Sequence, residues 1–156
     1  MSYTTIKLTS QNLRVHLDAL KKNCLHMAYA LEAVGAPVPR QREEGFKTLL
    51  KIIIDQQISV QAGAAIWNRI EERLGVVSAA RILAVSPTIL QNCGLSRQKT
   101  NYTIELASAI QAGKLDFKAL NNLDDQSVVT KLTHIKGIGV WTAEIYLMFA
   151  MGRPDI

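Results

Sequence analysis

The residues with the clearest chemical potential stand together in the run Lys136-Gly137-Ile138-Gly139-Val140-Trp141-Thr142. Glycine readily takes a positive φ and lets another backbone approach closely, so Gly137 and Gly139 predict a tight turn. The flanking residues predict a helix that ends near Ile135 and a second helix that begins near Val140. Free N–H groups at a helix start, with the positive end of the dipole, form an anion site that suits a DNA phosphate. Lys136 would add positive charge beside that site.

The same residues also allow a plainer interpretation. Gly137 and Gly139 would then only close a turn between two packed helices, and Trp141 would be a core residue at a helix start. Under either interpretation Ile138 is expected to plug into the core, while Ala143 is small enough for two helices to approach closely. The hairpin alone therefore favours DNA binding without requiring it.

The elements that must position this turn are all predicted to be helices. Apolar residues recur every three or four positions in these stretches: Leu13 to Leu31, Phe46 to Ile54, Val60 to Leu74, Ser78 to Val85, Pro87 to Gly94, Ser96 to Gly113 and a short one after Asp124. No alternating strand pattern and no strand followed by a glycine-rich phosphate loop stands in the sequence, which disfavours an α/β nucleotide-binding fold. The prediction is an all-α, irregular helical bundle with a helix-hairpin-helix motif.

A proline-containing stretch at residues 36–40 predicts a linker. The N-terminal helix and this linker would occupy residues 1–40, and the main domain residues 41–156. With 156 residues, 48% of them hydrophobic and 20% charged, the chain is long and apolar enough to bury a core. This composition excludes a wholly disordered chain. A monomer is expected.

Charge and cysteine content narrow the possible partners and cofactors. Lys and Arg number 18 against 13 Asp and Glu, so the net charge of +5 makes nucleic acid a plausible partner. Two cysteines, Cys24 and Cys93, are too few for a disulfide scaffold or an iron–sulfur cluster. The three histidines do not stand at metal-ligand spacing with them, so no metal is expected. These histidines are His16, His26 and His134.

No apolar run is long enough to span a membrane, and the first ten residues lack the pattern of a secretory signal. We therefore expect no membrane partner and a cytoplasmic location, associated with the nucleoid if the source is a bacterium.

A wider set of motifs stands in a definite order along residues 43–156. The first comprises Phe46 to Leu50, Gln56-Gln57-Ile58-Ser59 and Ala64 to Ile66; the second Gly94 to Lys99, Leu106-Ala107 and Gly113 to Asp116; the third Ile135 to Ala143 and Arg153 to Ile156. Together they resemble the helix-hairpin-helix (HhH-GPD) DNA glycosylases, in the alkylation-repair branch typified by DNA-3-methyladenine glycosylase II. Their order and spacing are far more specific than the hairpin alone.

The resemblance implies base excision repair of alkylated purines, of the 3-methyladenine class, in double-stranded DNA. A damaged nucleotide leaves the duplex, and the bond between its sugar and base is hydrolysed. An alkylated purine carries positive charge, so an aromatic pocket attracts it, with Trp141 and Tyr146 as candidates. Members with strand-cleaving activity carry a nucleophilic lysine at the position of Trp141, so a monofunctional enzyme is implied.

The resemblance also implies a set of DNA contacts. Gln57 and the loop from Leu95 to Arg97 match the places from which the family inserts side chains into the gap in the stack. Gln57 has an alternative role in satisfying a helix end, and Ser96 one as a helix cap. Lys99 and Lys136 are assigned to phosphates or solvent. The expected DNA-binding residues are Gln57, Ser59, Ser96, Arg97, Lys99, Lys136, Gly137, Ile138, Gly139 and Thr142.

One part of the family pattern is missing. The carboxylate that stabilises the developing charge on the sugar follows the Pro-Asp-Ile segment by a few residues, which is beyond Ile156. The C-terminal helices of the family are likewise expected to be missing, so the catalytic residue is unknown and the activity of this chain is in doubt. Asp155 is expected to serve local structure. No cofactor is expected, although the resemblance allows a monovalent cation held by hairpin carbonyls.

Three possibilities remain from the sequence. The first two are a glycosylase and a helix-hairpin-helix module that binds DNA without catalysis, and release of a methylated base separates these. A helical protein-interaction domain with incidental charge is the third possibility. Affinity that falls steeply with salt would argue against it.

Overall fold

Ten helices and no strand make up the part of the chain that the computed structural model describes, residues 7–154 and 156. The helices are α1 (Ser10–Asn23), α2 (Leu25–Val34), α3 (Phe46–Asp55), α4 (Val60–Leu74), α5 (Ala79–Leu83), α6 (Pro87–Asn92), α7 (Arg97–Gln111), α8 (Phe117–Leu120), α9 (Asp125–Thr133) and α10 (Val140–Phe149). The all-α prediction is confirmed. Asp155, expected to serve local structure, lies outside the described residues.

The core is built around α3, which packs against α4, α7 and α10. Five of its ten residues are buried, among them Leu49, Leu50 and Ile53 with no exposed surface. A helix with so much of its surface apolar is stable only in the interior, because burying a large aliphatic side chain contributes roughly 1.5–3 kcal/mol. Because α3 is held in the core, it positions Gly45 before it and Gln56 after it.

Side-chain hydrogen bonds cap the N-termini of several helices. The hydroxyls of Ser59, Ser78 and Ser96 each accept a backbone N–H in the first turn of the following helix. Asp124 does the same for α9, and hydrogen bonds from Ser127 lower the pKa of its carboxyl. The short helix α8, which the sequence does not predict, begins behind a similar cap at Asp116.

The N-terminal region departs from the prediction of one long helix. At Cys24 the backbone is extended, with φ −145° and ψ 110°, so the chain forms two helices that pack against each other. The apolar period runs through Cys24 in phase, so it carries no signal of a one-residue break. None of the residues of α2 is buried.

The segments before and after this helix pair are both hydrogen-bonded at the end of α10 or just beyond it. The N–H of Arg42 donates to the carbonyl of Phe149 at 2.7 Å, and the N–H of Leu8 donates to that of Gly152 at 2.7 Å. The domain boundary at residue 40 stays a prediction. No helix in residues 7–154 is long and apolar enough to cross a membrane.

Candidate functional site

A cleft of about 760 Å³ lies where three separate segments meet. One wall is the junction between α3 and α4, at Gln56 to Ile58. A second is the start of α7 with the loop before it, and the third is the turn from Gly137 to Gly139 with the first residues of α10. The structure therefore brings together one part of each of the three predicted motifs.

The turn between α9 and α10 depends on a glycine at position 137. Its φ is +97°, and a Cβ added there would lie 2.2 Å from Cγ of Tyr102 on α7. No other residue type fits so closely against that ring. Ile138 is buried, as predicted, and its N–H donates to the carbonyl of Ile135 at 3.0 Å. The predicted hairpin is confirmed as a turn that packs closely against α7.

The backbone N–H groups in the first turn of α10 have no side-chain cap. Gly139 is the N-cap residue of this helix and supplies no side chain to accept a hydrogen bond from the backbone. Trp141 stands one position into the helix with 61% of its surface exposed, and it lines the cleft. The interpretation of Trp141 as a core residue is therefore wrong. A flat aromatic surface and uncapped amide groups lie side by side.

Tyr146, the second candidate for the base pocket, is not brought to the cleft. Its side chain has no exposed surface, its ring lies 5.8 Å from that of Phe117, and its hydroxyl accepts the N–H of Gly45 at 2.8 Å. Burial raises the pKa of this phenol well above its ordinary value. A ring in this position holds the start of α3 and has no surface on which a base can stack.

The junction between α3 and α4 contains two glutamines with different surroundings. Gln56 points inward: its Nε2 donates to the carbonyl of Gly137 at 3.1 Å and to Oγ1 of Thr142 at 2.9 Å. Gln57 is exposed and has a φ of +57°. A positive φ is uncommon outside glycine and persists where the neighbouring structure enforces it.

The other predicted DNA contacts are either exposed side chains or side chains that already form hydrogen bonds within the protein. Arg97 and Lys136 are exposed beside the cleft. Ser59 and Ser96 use their hydroxyls as helix caps, while Thr142 is buried and accepts from Gln56. Lys99 lines the cleft, but its ammonium donates to the carbonyls of Ile54 at 2.5 Å and Gln56 at 2.6 Å.

The electrostatics of the cleft favour an anion. Among the residues that the structure describes, none of those lining the cleft is acidic, and Lys99 contributes a cation. Burial lowers the pKa of Lys99, an effect that the nearby Asp55 carboxylate opposes. Within the same described part, no three His, Cys, Asp or Glu side chains gather as a metal site.

Two residues that hold the walls of the cleft together, Gln56 and Tyr102, were not among the predicted site residues. Gln56 is adjacent to Gln57 in the same motif, and this adjacency is the sequence signal that could have identified it as a site residue. Tyr102 packs on Gly137 and receives a hydrogen bond of 2.5 Å from Gln98, one helical turn earlier. Arg153 does not line the cleft. It is buried, with an ion pair to Asp125 at 3.0 Å and a hydrogen bond to the carbonyl of Leu123 at 3.0 Å, and it anchors the segment after α10 to the region around α9.

Comparison with known proteins places this arrangement in a family. The sequence profile of the HhH-GPD superfamily base excision DNA repair proteins matches residues 50–155. A relative in Schizosaccharomyces pombe, DNA-3-methyladenine glycosylase 1, is 27% identical over 146 residues, which cover 91% of this chain and 64% of the relative. A Bacillus subtilis relative, a protein named as a DNA-3-methyladenine glycosylase, is 29% identical over 90% of this chain and 51% of its own length.

Solved structures agree with these relatives. The crystal structure of a DNA-3-methyladenine glycosidase from Bacillus halodurans superposes with a TM-score of 0.74 at 35% identity, over 80% of this chain and 58% of that one. The Schizosaccharomyces pombe 3-methyladenine DNA glycosylase in complex with abasic DNA has a TM-score of 0.75 at 26% identity, over 93% and 72%. The chain spans about half to two thirds of the length of the curated relatives described above.

Proposed function

We propose that this chain, which belongs to the HhH-GPD superfamily of base excision DNA repair proteins, binds duplex DNA through the cleft and excises alkylated purines of the 3-methyladenine class. Water would add across the bond between the deoxyribose carbon and the purine nitrogen, leaving an abasic sugar and a free base. The observation that carries the proposal is the exposed ring of Trp141 at the uncapped start of α10, inside the cleft. The names of the relatives support the substrate class.

The hairpin would hold the DNA backbone. The first N–H groups of α10 have no partner within the helix, and Gly139 adds no side chain that would compete for them. A phosphate oxygen at this point would accept two charge-assisted hydrogen bonds and face the positive end of the helix dipole. Exposed Lys136 would add a charge contact, so the hairpin is proposed to position the duplex without reading its sequence.

Trp141 would receive the damaged base. Stacking on an aromatic side chain contributes roughly 1–3 kcal/mol per base, and a cationic alkylated purine adds a cation–π attraction. A neutral, undamaged purine lacks this second contribution. The exposed ring thus supplies affinity for the damaged base that increases with its positive charge.

A monofunctional reaction is proposed, because position 141 holds a tryptophan where lyase members of the family carry a nucleophilic lysine. The position of Lys99 supports this, since its ammonium already donates to two backbone carbonyls. A DNA substrate also supports a cytoplasmic location, at the nucleoid if the source is a bacterium.

A second candidate function is DNA binding without catalysis. It is favoured by the chemistry of the cleft lining, which contains no carboxylate in the described part of the chain. Hydrolysis through an oxocarbenium-like transition state benefits greatly from a nearby negative charge. The glycosylase and the binding module share every DNA contact and differ only in base release.

The decisive experiment measures two quantities with one set of proteins. Free 3-methyladenine released from methylated duplex is measured by chromatography, and affinity for a duplex with an abasic-site analogue is measured at several salt concentrations. We expect the native chain to prefer the abasic duplex and to lose affinity steeply as salt increases. Trp141→Ala should reduce base release roughly tenfold or more, because the stacking surface is lost.

Trp141→Phe is the matched control, because it keeps an aromatic face and should retain part of the activity. Both variants should unfold at the native temperature, since Trp141 is mostly exposed. Salt-dependent DNA binding without any base release would favour the binding module. Absence of DNA binding would contradict both candidates and leave a protein-interaction domain.

We also propose that the hairpin carbonyls accept a monovalent cation when DNA is bound. Carbonyl oxygens suit such cations, and those of Ile135 and Gly137 each accept one hydrogen bond and retain a second lone pair. Affinity for the abasic duplex should then be higher in potassium chloride than in tetramethylammonium chloride at equal ionic strength. Equal affinity in the two salts would contradict this site.

A further inference from the structure

Two side chains connect all three walls of the cleft. Lys99, on α7, donates from its Nζ to the carbonyls of Ile54 and Gln56 at 2.5 and 2.6 Å. Gln56 donates from its Nε2 to the carbonyl of Gly137 and to Oγ1 of Thr142. We refer to Lys99 and Gln56 together as the clamp. It runs from α7 through the α3–α4 junction to the hairpin.

The Lys99 contacts suit the end of α3. The last carbonyls of a helix have no partner within it and carry the negative end of the dipole. An ammonium group is a compact cation with three donors, so it can satisfy two such carbonyls at once. Its lowered pKa agrees with a group withdrawn from solvent. Lys99 therefore closes α3 at the residues that lead into Gln57.

Gln57 needs such support. Its φ of +57° is costly for a residue with a side chain, and its own side chain is exposed. The peptide unit before it carries the Gln56 carbonyl that accepts from Lys99. The direction in which Gln57 leaves the junction is therefore set by the clamp.

We infer that Lys99 and Gln56 are positioning residues, which fix Gln57 relative to the hairpin so that a duplex with a vacated base position fits the cleft. This inference rests on the proposed DNA binding. It differs from the sequence-based expectation that Lys99 contacts a phosphate. A phosphate contact strengthens binding to every duplex alike, whereas a positioning residue strengthens binding to the abasic duplex in particular.

The test compares Lys99→Met with Lys136→Met, two variants that each remove one ammonium from the neighbourhood of the cleft. Affinities for an abasic-analogue duplex and for the same intact duplex are measured over a range of salt concentrations. Lys99→Met should lower the ratio of the two affinities roughly tenfold, the effect of losing a charged hydrogen bond, and leave the salt dependence unchanged. Lys136→Met should weaken both affinities and reduce the salt slope by about one, while the ratio stays as in the native chain.

Rescue by a conservative variant distinguishes positioning from general damage to the fold. Lys99→Arg keeps several donors that can reach the two carbonyls, so it should restore most of the affinity ratio. Gln56→Leu keeps the bulk but loses the donor, so it should lower the ratio as Lys99→Met does. An unchanged ratio in Lys99→Met, or a salt slope reduced by one with the ratio intact, would overturn the inference.

A measurement without DNA separates this inference from the proposed function. Hydrogen exchange of the amides at the end of α3, residues 53–56, should be faster in Lys99→Met than in the native chain, and unchanged in Lys136→Met. Native protein that binds neither duplex would refute the proposed function, yet faster exchange would still establish the clamp. Unchanged exchange in Lys99→Met would refute the clamp even if DNA binds.

Discussion

Helices α7 and α10 both begin at the cleft, and their first turns differ. At α7 the hydroxyl of Ser96 accepts the N–H of Lys99 at 3.2 Å. At α10 the equivalent position is Gly139, which provides no acceptor. Two helix starts that both line the cleft thus differ by one side chain at the N-cap.

The lysines near these two helix starts also differ in whether they have partners within the protein. Lys99 is bound to carbonyls of the protein, while Lys136 is exposed. The α7 side of the cleft therefore satisfies its own polar groups and serves as a support. The hairpin side leaves its donors available, which is the arrangement that an anionic ligand requires.

The largest expected effect concerns the attachment of the hairpin to α7. In Gly137→Ala the new Cβ meets the Tyr102 ring at a backbone φ of +97°. Backbone strain of roughly 1–2 kcal/mol and overpacking of roughly 1–3 kcal/mol add up to a loss of about 2–5 kcal/mol in the free energy of unfolding. Urea denaturation measures this loss.

Gly113→Ala is the matched control for that variant. Gly113 also has a positive φ, +69°, but nothing lies within 4 Å of an added Cβ. It should lose only the strain contribution, roughly 1–2 kcal/mol. Equal losses in the two variants would show that the hairpin is not held against Tyr102.

Gln57 and Arg97 are two exposed side chains that are proposed to contact the DNA directly, so their removal tests the proposed interface. Gln57→Ala combined with Arg97→Ala should weaken binding to an abasic duplex roughly tenfold, since both are proposed to fill or flank the gap in the stack. Stability should change little, because both residues are exposed. Fluorescence anisotropy with an abasic-analogue duplex measures the effect. Unchanged affinity in the double variant would remove both residues from the proposed interface.

Helix α10 has no side-chain cap at its first turn, whereas Tyr146 in its second turn is fully buried and hydrogen-bonded. Tyr146→Phe removes the acceptor of the Gly45 N–H and should cost roughly 1–2 kcal/mol near neutral pH. Above its ordinary pKa of 10.0 the tyrosine ionises in the unfolded chain, but the buried phenol stays protonated. The folded state then binds more protons, so this residue's contribution to stability decreases as pH rises.

The stability difference between native protein and Tyr146→Phe should therefore shrink between pH 9 and pH 11. Thermal or urea unfolding across this range measures it, and the variant serves as the control for all other titrating groups. A difference that stays constant with pH would mean that the phenol is not withdrawn from water in the folded protein.

The sequence predicts much of this arrangement where the signal is local. The Ser96 cap and the start of α10 at Val140 follow from residue type and spacing, and both are confirmed. The break at Cys24 cannot be predicted in this way, because the apolar period continues across it in phase. The exposed Trp141 and the buried Tyr146 were grouped together, because α10 is apolar on nearly every side and its sequence does not indicate which face is buried. At 3.6 residues per turn they point about 140° apart.

Contacts between residues that are distant in the sequence leave no local signal. Lys99 reaches carbonyls that are 43 and 45 positions away, and Gln56 reaches residues 81 and 86 positions away. Which side chain meets which carbonyl depends on how the helices pack, and one sequence has no periodic signal for it. A lysine near a cleft therefore looks like a phosphate contact until its partners are seen.

The smallest expected effect is also the most direct comparison of the two helix starts. Gly139 has an extended backbone and open space around an added Cβ, so Gly139→Ser should cap α10 and stabilise the fold by a few tenths of a kcal/mol. The new hydroxyl would compete with a phosphate for the first amides, so affinity for duplex DNA should fall roughly twofold to threefold. Ser96→Gly is the reciprocal variant and should lose similar stability at α7 without affecting the salt dependence of binding. If Gly139→Ser binds DNA as tightly as the native chain, the amides at the start of α10 do not hold a phosphate, and the proposed difference between the two sides of the cleft fails.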